Sequence, residues 1–165
     1  MNATAALAVI LVLMLAEQRR SSRNERALRN AGALEPGDDV YRVMAVTYPL
    51  AFITMAAEGW WRGGEASSMA GGLTIFATAK ALKYWAIATL GPRWTFRVLV
   101  PPASTLVQAG PYRWFRHPNY IGVMGELIGF AAFVGAPISG VVSVAGFGWL
   151  IRNRIRVEET ALSRG

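Results

Sequence analysis

The spacing of apolar segments constrains this chain more than any other feature. Five of them occupy most of its 165 residues. The first runs from Asn2 to Ala16, with no charge before Glu17, and the second from about Val40 to Trp61, interrupted only by Arg42 and Glu58 near its ends. The third, Met69 to Leu90, carries Lys80 and Lys83; the fourth spans Tyr120 to Ala136 and the fifth Ile138 to Ile151. A membrane span takes roughly 20 mostly apolar residues, with about 17 tolerated. The second and third segments reach that length unaided, whereas the first, fourth and fifth need their polar flanks. The competing reading is five buried helices of a soluble core. It fails because so short a chain cannot wrap five such segments in a polar shell. The segments predict an all-α integral membrane protein of about five transmembrane helices.

Charge sorts onto those segments by side. Charged residues make up 16% of the chain, against roughly 25% in an average soluble protein, yet the net charge is +7. With the N-terminus placed outside, every lysine and arginine except Arg62 falls on the inner side, as the positive-inside rule requires. Only an odd number of spans gives that partition, so the N-terminus is expected outside and the C-terminus inside. The first segment is followed by Arg19-Arg20 rather than preceded by positive charge, so it reads as a retained anchor and not a cleaved signal. A hydrophobic content of 53% excludes intrinsic disorder. The absence of cysteine excludes disulfides, thiolate metal sites and a cysteine nucleophile, and the single histidine, His117, excludes a multi-histidine metal centre. No metal is expected. Nucleic acid is an unfavoured partner, because the arginines are distributed by topology and not gathered on one soluble face.

Two inner stretches differ in character. Residues 17–39 are helix-prone as far as Asn30 and then break at Gly32 and Glu35-Pro36-Gly37-Asp38, which predicts an interfacial helix and a turn. Residues 91–119 are broken at Gly91-Pro92, Pro101-Pro102 and Gly110-Pro111, with Val98-Leu99-Val100 and Leu106-Val107 as short extended pieces. Loops of that length are usually functional or disordered, and the aromatic residues between Trp94 and Phe115 argue for order.

The densest polar constellation runs from Gln108 through Tyr112, Arg113, Arg116, His117 and Asn119 to Tyr120, immediately before the fourth segment. Pro118 suits a first helical turn, where its missing N–H costs nothing. His117 is thereby placed at the cap, and the helix's positive end is aimed at the cytosol. Free amides beside Arg113, Arg116 and His117 form an anion-binding corner, and the aromatic rings offer faces to a flat heterocycle. The plainer alternative is a juxtamembrane anchor of arginines on headgroups. In the tail, Arg152, Arg156 and Glu159 share one helical face by their spacing, next to Glu158; their alternative is a solvated helix end with ordinary ion pairs. Glu126 is an ionisable residue inside a span and so a functional hypothesis by default: it faces the cofactor or acceptor, or it pairs with Lys80 or Lys83. Gly122, Gly125 and Gly129 predict close helix packing.

Taken together, Gly110-Pro111-Tyr112-Arg113, then Arg116-His117-Pro118-Asn119-Tyr120 and Gly122, resemble the hallmark of the isoprenylcysteine carboxyl methyltransferase family. The tail Arg156-Val157-Glu158-Glu159-Thr160-Ala161-Leu162 is similar to that family's second element. Arg93-Trp94-Thr95 through Val100-Pro101, the Arg23-Asn24 stretch and Glu58 resemble a bacterial branch of it. The resemblance implies a single membrane methyltransferase domain, residues 1–165, with a three-helix part over 1–90 and a cofactor-binding part over 91–165. It implies S-adenosylmethionine as cofactor, lined by Gln108, Gly110, Tyr112, Arg116, His117, Pro118 and Tyr120 and closed by Glu158 and Glu159. The reaction would rest on His117, Arg116, Glu159 and Glu126. No Rossmann glycine fingerprint occurs, so the soluble methyltransferase fold is not expected. The acceptor would be lipophilic and enter from the bilayer: a prenylated cysteine, or a small lipid-like molecule such as an alkyl-substituted polyketide phenol or pyrone. A carboxylate acceptor needs no base; a phenol or enol would need one, and His117 or a glutamate could serve. The expected location is a bacterial inner membrane with the site facing the cytoplasm. Phospholipid N-methyltransferases and NADPH-dependent sterol reductases share parts of the pattern. A non-catalytic membrane module or transporter subunit, with Glu126 and the lysines as pathway charges, is the alternative from another class.

Overall fold

The computed structural model describes residues 3–37, 40–63, 69–101 and 107–163. Asp38, Pro102, Leu106 and Arg164, assigned above to a turn, a break, an extended piece and a tail charge, lie outside the described residues. Among the described residues five α-helices carry the fold: α1 (Ala3–Asn30), α2 (Tyr41–Trp61), α3 (Met69–Leu90), α4 (Pro118–Val134) and α5 (Pro137–Ser163). Among the described residues there is no strand. Val98-Leu99-Val100 supplies one isolated antiparallel bridge, Leu34 to Val100.

Helices α1 and α5 are longer than their apolar segments. Nothing between Leu15 and Asn30 breaks a helix, so α1 runs unbroken past its charged stretch instead of stopping for a separate interfacial helix. It ends where Gly32 adopts φ +83°, a backbone state glycine takes without steric cost. Likewise α5 continues through the arginine-rich tail. Between α4 and α5 the chain turns through Gly135, left-handed at φ 70°, which caps α4. Pro137 then opens α5 at the position where a missing N–H is harmless. The free amides of that helix start are taken up by Glu58 of α2, whose carboxylate accepts from Ile138 N at 3.1 Å, Ser139 N at 2.6 Å and Ser139 Oγ at 2.5 Å.

Helices α3 and α4 pack backbone against backbone. A methyl group at Gly129 would stand 2.4 Å from Phe76 N, one at Gly72 2.3 Å from Phe133 N, and one at Gly125 2.6 Å from Ala79 Cβ. The glycines are thus the physical condition for this contact, as small-residue spacing predicts. Phe52, Met55, Leu127 and Phe130 fill the space between α2 and α4 and are fully buried. The rings of Phe52 and Phe130 lie 5.1 Å apart.

Five helices occupy the five apolar segments, but the expectation that each is a span meets a counter-finding. Among the described residues, no helix is both long enough and apolar enough to cross a membrane. The reason lies in where the charges fall. Glu17, Arg19 and Arg20 interrupt α1, Lys80 and Lys83 sit inside α3, arginines occupy half of α5, and α4 is only 17 residues long. The outer faces are nevertheless apolar: Val12, Val46, Val141, Val142 and Trp149 are each between 64% and 70% exposed.

Candidate active site

The inner half of α1 is the clamp that shapes the loop after α3. Asn24 Nδ2 donates to the carbonyls of Gly91 (3.1 Å) and Trp94 (2.7 Å). Ser21 Oγ accepts from Phe96 N at 2.7 Å. Arg97 bridges Glu35 at 2.7 Å and Glu25 at 3.6 Å, which ties the loop to both sides of the turn after α1. From α5, buried Arg154 donates to the Phe96 carbonyl and, through Nε, to Tyr120 Oη at 2.8 Å. The loop of residues 91–101 is held from two helices.

The second half of the loop is positioned by α3. Gly110 sits at φ +54°, and a methyl group on it would stand 2.3 Å from Thr89 Oγ1. A glycine is required there both for the backbone conformation and for the space. The following 3₁₀ turn, Gly110–Arg113, leads through Trp114, which packs against Trp85 at 5.8 Å. It delivers His117 to the start of α4. His117 does occupy the cap position, but its side chain makes no capping hydrogen bond. The ring stacks on Tyr120 at 5.7 Å and faces the α5 carboxylates. Nδ1 is 3.5 Å from Glu158 Oε2, and Nε2 is 3.6 Å from Glu159 Oε1. Glu159 also meets Arg116 at 3.2 Å. Glu158 accepts a hydrogen bond from Tyr120 Oη and an ion pair from Arg154 at 3.4 Å.

These neighbours shift the titration of the pair in opposite directions. Glu158 beside Nδ1 raises the His117 pKa above its ordinary 6.5 despite partial burial, and Glu159 adds to the effect. Burial pushes the Glu158 carboxyl upward, but His117, Arg154 and Tyr120 outweigh it and hold it below the ordinary 4.5. The Tyr112 hydroxyl is pushed up by burial and by Glu158, so it stays a neutral donor. The arrangement offers a cation, two carboxylates and a phenol side by side.

All of this opens on a cavity of about 1120 Å³, beyond the roughly 300–1,000 Å³ typical of a single small-molecule site. One end is lined by Gln108, Tyr112, Arg113, Arg116, His117, Asn119, Tyr120, Glu158 and Glu159. Leu11, Met14 and Leu15 of α1 and Met44, Ala45 and Pro49 of α2 form an apolar wall. Two buried polar atoms of lining residues, His117 Nε2 and Asn119 Oδ1, have no hydrogen-bond partner. Buried polar atoms are nearly always paired, so Asn119 Oδ1 marks where a ligand would bond, while His117 Nε2 already faces Glu159 at 3.6 Å. Glu17, Tyr48 and Lys83 also line the cavity. They belong to a buried network in which Lys83 pairs with Glu17 (2.7 Å) and Glu126 (3.4 Å), and Lys80 with Glu126 (2.8 Å) and Glu17 (3.3 Å).

With this geometry in view, sequence relationships become informative. Residues 72–164, which include the whole loop, α4 and the tail, match the model of the isoprenylcysteine carboxyl methyltransferase (ICMT) family. The chain belongs to this family. It is 30% identical to the uncharacterized protein YpbQ of Bacillus subtilis, over 94% of both chains. An uncharacterized protein of Haemophilus influenzae is 26% identical over 94% of this chain and 92% of its own. The human protein-S-isoprenylcysteine O-methyltransferase is 32% identical over 93 residues, which are 55% of this chain and 33% of the human one. No solved structure matches the chain.

Within this ICMT-family cavity the structure gathers Gln108, Tyr112, Arg116, His117, Tyr120, Glu158 and Glu159. It does not bring Gly110, Pro118 or Glu126 to the lining: Gly110 and Pro118 shape the backbone, and Glu126 is fully buried in its ion pairs. The expectation that Glu126 either faces a ligand or pairs with Lys80 or Lys83 resolves toward pairing, with both lysines. Arg152 and Arg156 are exposed and outside the lining, and Arg154 takes the inward place assigned to them. Helical spacing alone could not decide which arginine faces in, because that depends on where Tyr120 and Phe96 stand. Glu17 and Tyr48 also line the cavity and are not singled out by the sequence reading. The one available signal was Glu17, the first charge after a wholly apolar segment.

Proposed function

We propose that this chain is a membrane-embedded, S-adenosylmethionine-dependent methyltransferase acting on an oxygen of a lipophilic acceptor. The observation that carries the reading is the cavity where His117 and Glu158-Glu159 converge beside an apolar wall and the buried Asn119 Oδ1, which has no hydrogen-bond partner. Family membership supports the reaction class. The donor set fits the cofactor. Arg116 and the amides at the start of α4 suit its carboxylate, Glu159 and Glu158 its ammonium or ribose, and Asn119 Oδ1 and His117 Nε2 its remaining polar groups. Tyr112 and His117 offer faces to adenine. When bound, the cofactor supplies a methyl carbon made electrophilic by its sulfonium.

The chain's own residues do the positioning. Near-attack placement, about 3–3.5 Å between reacting atoms, is the main requirement of an in-line displacement, and the clamped loop keeps the cavity walls fixed. Glu158 raises the His117 pKa and so favours the donor form of the ring. A carboxylate acceptor, already ionised at neutral pH, would need no base. The apolar outer faces of α1, α2 and α5 suit a bilayer, and the distribution of arginines supports a cavity facing the cytoplasm, with the N-terminus out and the C-terminus in. Residues 1–90 then provide the acceptor wall and residues 91–165 the cofactor end.

Calorimetry with S-adenosylhomocysteine on the detergent-solubilised protein tests the cofactor, with micromolar binding expected and no binding as the contrary result. Radiolabelled methyl transfer to a membrane lipid extract tests the acceptor. A labelled phosphatidylethanolamine product would instead identify a phospholipid N-methyltransferase.

A further inference from the structure

Away from the cavity, the outer face of α1 is the most sharply organised surface of the molecule. Its exposed residues include Val9, Val12, Leu15 and Ala16, then Arg19, Arg20, Arg23 and Arg26, spaced by three and four so that they share one helical face. This stripe passes from apolar to basic within a single turn, between Ala16 and Arg19. Both carboxylates of the helix lie on its other face. Glu17 is buried against Lys80 and Lys83, and Glu25 meets Ser21 Oγ at 2.6 Å and Arg97 at 3.6 Å. The positive-inside rule asks for arginine on this side of a bilayer. It does not ask that the arginines be gathered on one face and left without counter-charge.

That is nevertheless their arrangement. Among the described residues, no ion pair reaches Arg19, Arg20 or Arg23, whereas Arg29, Arg97, Arg116 and Arg154 are all paired. The three line a shallow concavity of about 480 Å³, completed by Ala16 and Asn24. Its wall is fixed from behind, because the Asn24 amide nitrogen donates to the carbonyls of Gly91 and Trp94. Three guanidiniums around one concavity suit an anion with several acceptor oxygens, and phosphate matches their fork geometry.

The adjoining stripe separates a lipid phosphate from a free one. Val9, Val12 and Leu15 are between 51% and 64% exposed, and from Arg19 back to Val9 the same face continues for about 15 Å at 1.5 Å per residue. A headgroup held by the arginines would lay its acyl chain along that stretch. We propose that the outer face of α1 is a binding site for an acidic phospholipid, with the phosphate among Arg19, Arg20 and Arg23 and an acyl chain along Leu15, Val12 and Val9. Basic clusters immediately inside an apolar segment attract acidic headgroups in this way, and a zwitterionic headgroup lacks the net charge. The site goes beyond the methyltransferase reading and rests only on its placement of α1 in a bilayer.

The test titrates the full chain, purified in a neutral detergent, and reads stoichiometry and Kd by native mass spectrometry. The probes are dimyristoylphosphatidylglycerol, dimyristoylphosphatidylcholine with the same chains, and glycerol 3-phosphate without chains. Phosphatidylglycerol should occupy one site at least tenfold tighter than either of the others. Combining Arg19→Gln with Arg23→Gln should raise its Kd about tenfold or more, and Arg23→Gln alone, the milder change, about threefold. Combining Arg152→Gln with Arg156→Gln removes the same charge from exposed positions of α5 and should alter the Kd less than twofold. Phosphatidylglycerol should also raise the unfolding midpoint of the wild type more than that of Arg23→Gln. An unchanged Kd in both α1 variants, an equal loss in the α5 variant, or glycerol 3-phosphate binding as tight as the lipid overturns the site and leaves the methyltransferase reading standing. Recovery of the wild type in the soluble fraction without detergent overturns the bilayer placement itself.

Discussion

At the scale of single residues, His117 and Glu158 are coupled through space rather than by a short hydrogen bond, and the coupling has a pH signature. The folded chain holds the His117 proton more tightly than the unfolded chain, so its contribution is complete below about pH 6.5 and fades as pH rises through the elevated value. Glu158 works the other way: its contribution is present above about pH 4.5 and is lost as pH falls through the lowered value. The pair should therefore add most to stability between those limits. Thermal unfolding of wild type and His117→Gln across pH 5 to 9 checks this. The Tm difference should be largest near pH 5.5 and shrink toward pH 9, and a flat difference would count against the coupling. Glu158→Gln also loosens Arg154 and Tyr120, so it should weaken S-adenosylhomocysteine binding about tenfold or more. Arg152→Ala, on an exposed residue outside the lining, should leave that affinity unchanged.

At the scale of elements, the α3–α4 contact is the least forgiving part of the fold. Gly129→Ala puts a methyl group where Phe76 backbone already stands, and neither helix can yield without moving the other. Overpacking of this kind costs about 1–3 kcal/mol, so Gly129→Ala should lower the midpoint of unfolding in detergent, whereas Gly146→Ala, with open space around it, should not. The α2–α5 junction is gentler. Glu58→Ala removes the acceptor from the first amides of α5, a capping loss of about 1 kcal/mol, measurable by the same unfolding assay. Because the proposed cofactor site is assembled from the start of α4 and the far part of α5, fraying at the near end of α5 should affect S-adenosylhomocysteine affinity much less than stability.

At the scale of the whole molecule, the question is how five helices with interrupted apolarity sit relative to a bilayer. Four of the ionisable residues within α1, α3 and α4, namely Glu17, Lys80, Lys83 and Glu126, face one another and are buried. Paired charges are tolerated inside a membrane where they face a bundle interior, and burying them leaves the outer surface apolar although, among the described residues, no helix is long and apolar enough to cross a membrane. The absence of native cysteine makes the orientation directly measurable. A membrane-impermeant maleimide added to intact cells should label Arg62→Cys, and should label Arg29→Cys only after the membrane is permeabilised. The reverse pattern would invert the topology, and recovery of the protein in the soluble fraction would remove the bilayer reading altogether.

Much of this molecule was legible along the chain, and the reason is local. Apolar runs, Pro118 and Gly110 act through their own backbone or their immediate neighbours, so the five helices, the start of α4 and the grouping of His117 with Gln108, Tyr112 and Arg116 could be read in order. The Glu158-Glu159 pair was recognisable by motif. Other features depended on distance in space. Whether α1 and α5 stop or continue turns on their anchoring to the loop by Asn24, Ser21 and Arg154. Which tail arginine points inward is decided by Tyr120 and Phe96, and the withdrawal of Glu126 from the cavity by two lysines one helix away. Local sequence determined the elements and the run of polar residues around His117, because propensity and spacing are near-neighbour properties. Tertiary structure alone decided that Tyr48, Lys83 and Glu17, from three helices, line one cavity, because the pairing of buried charges is settled only when the helices that carry them pack.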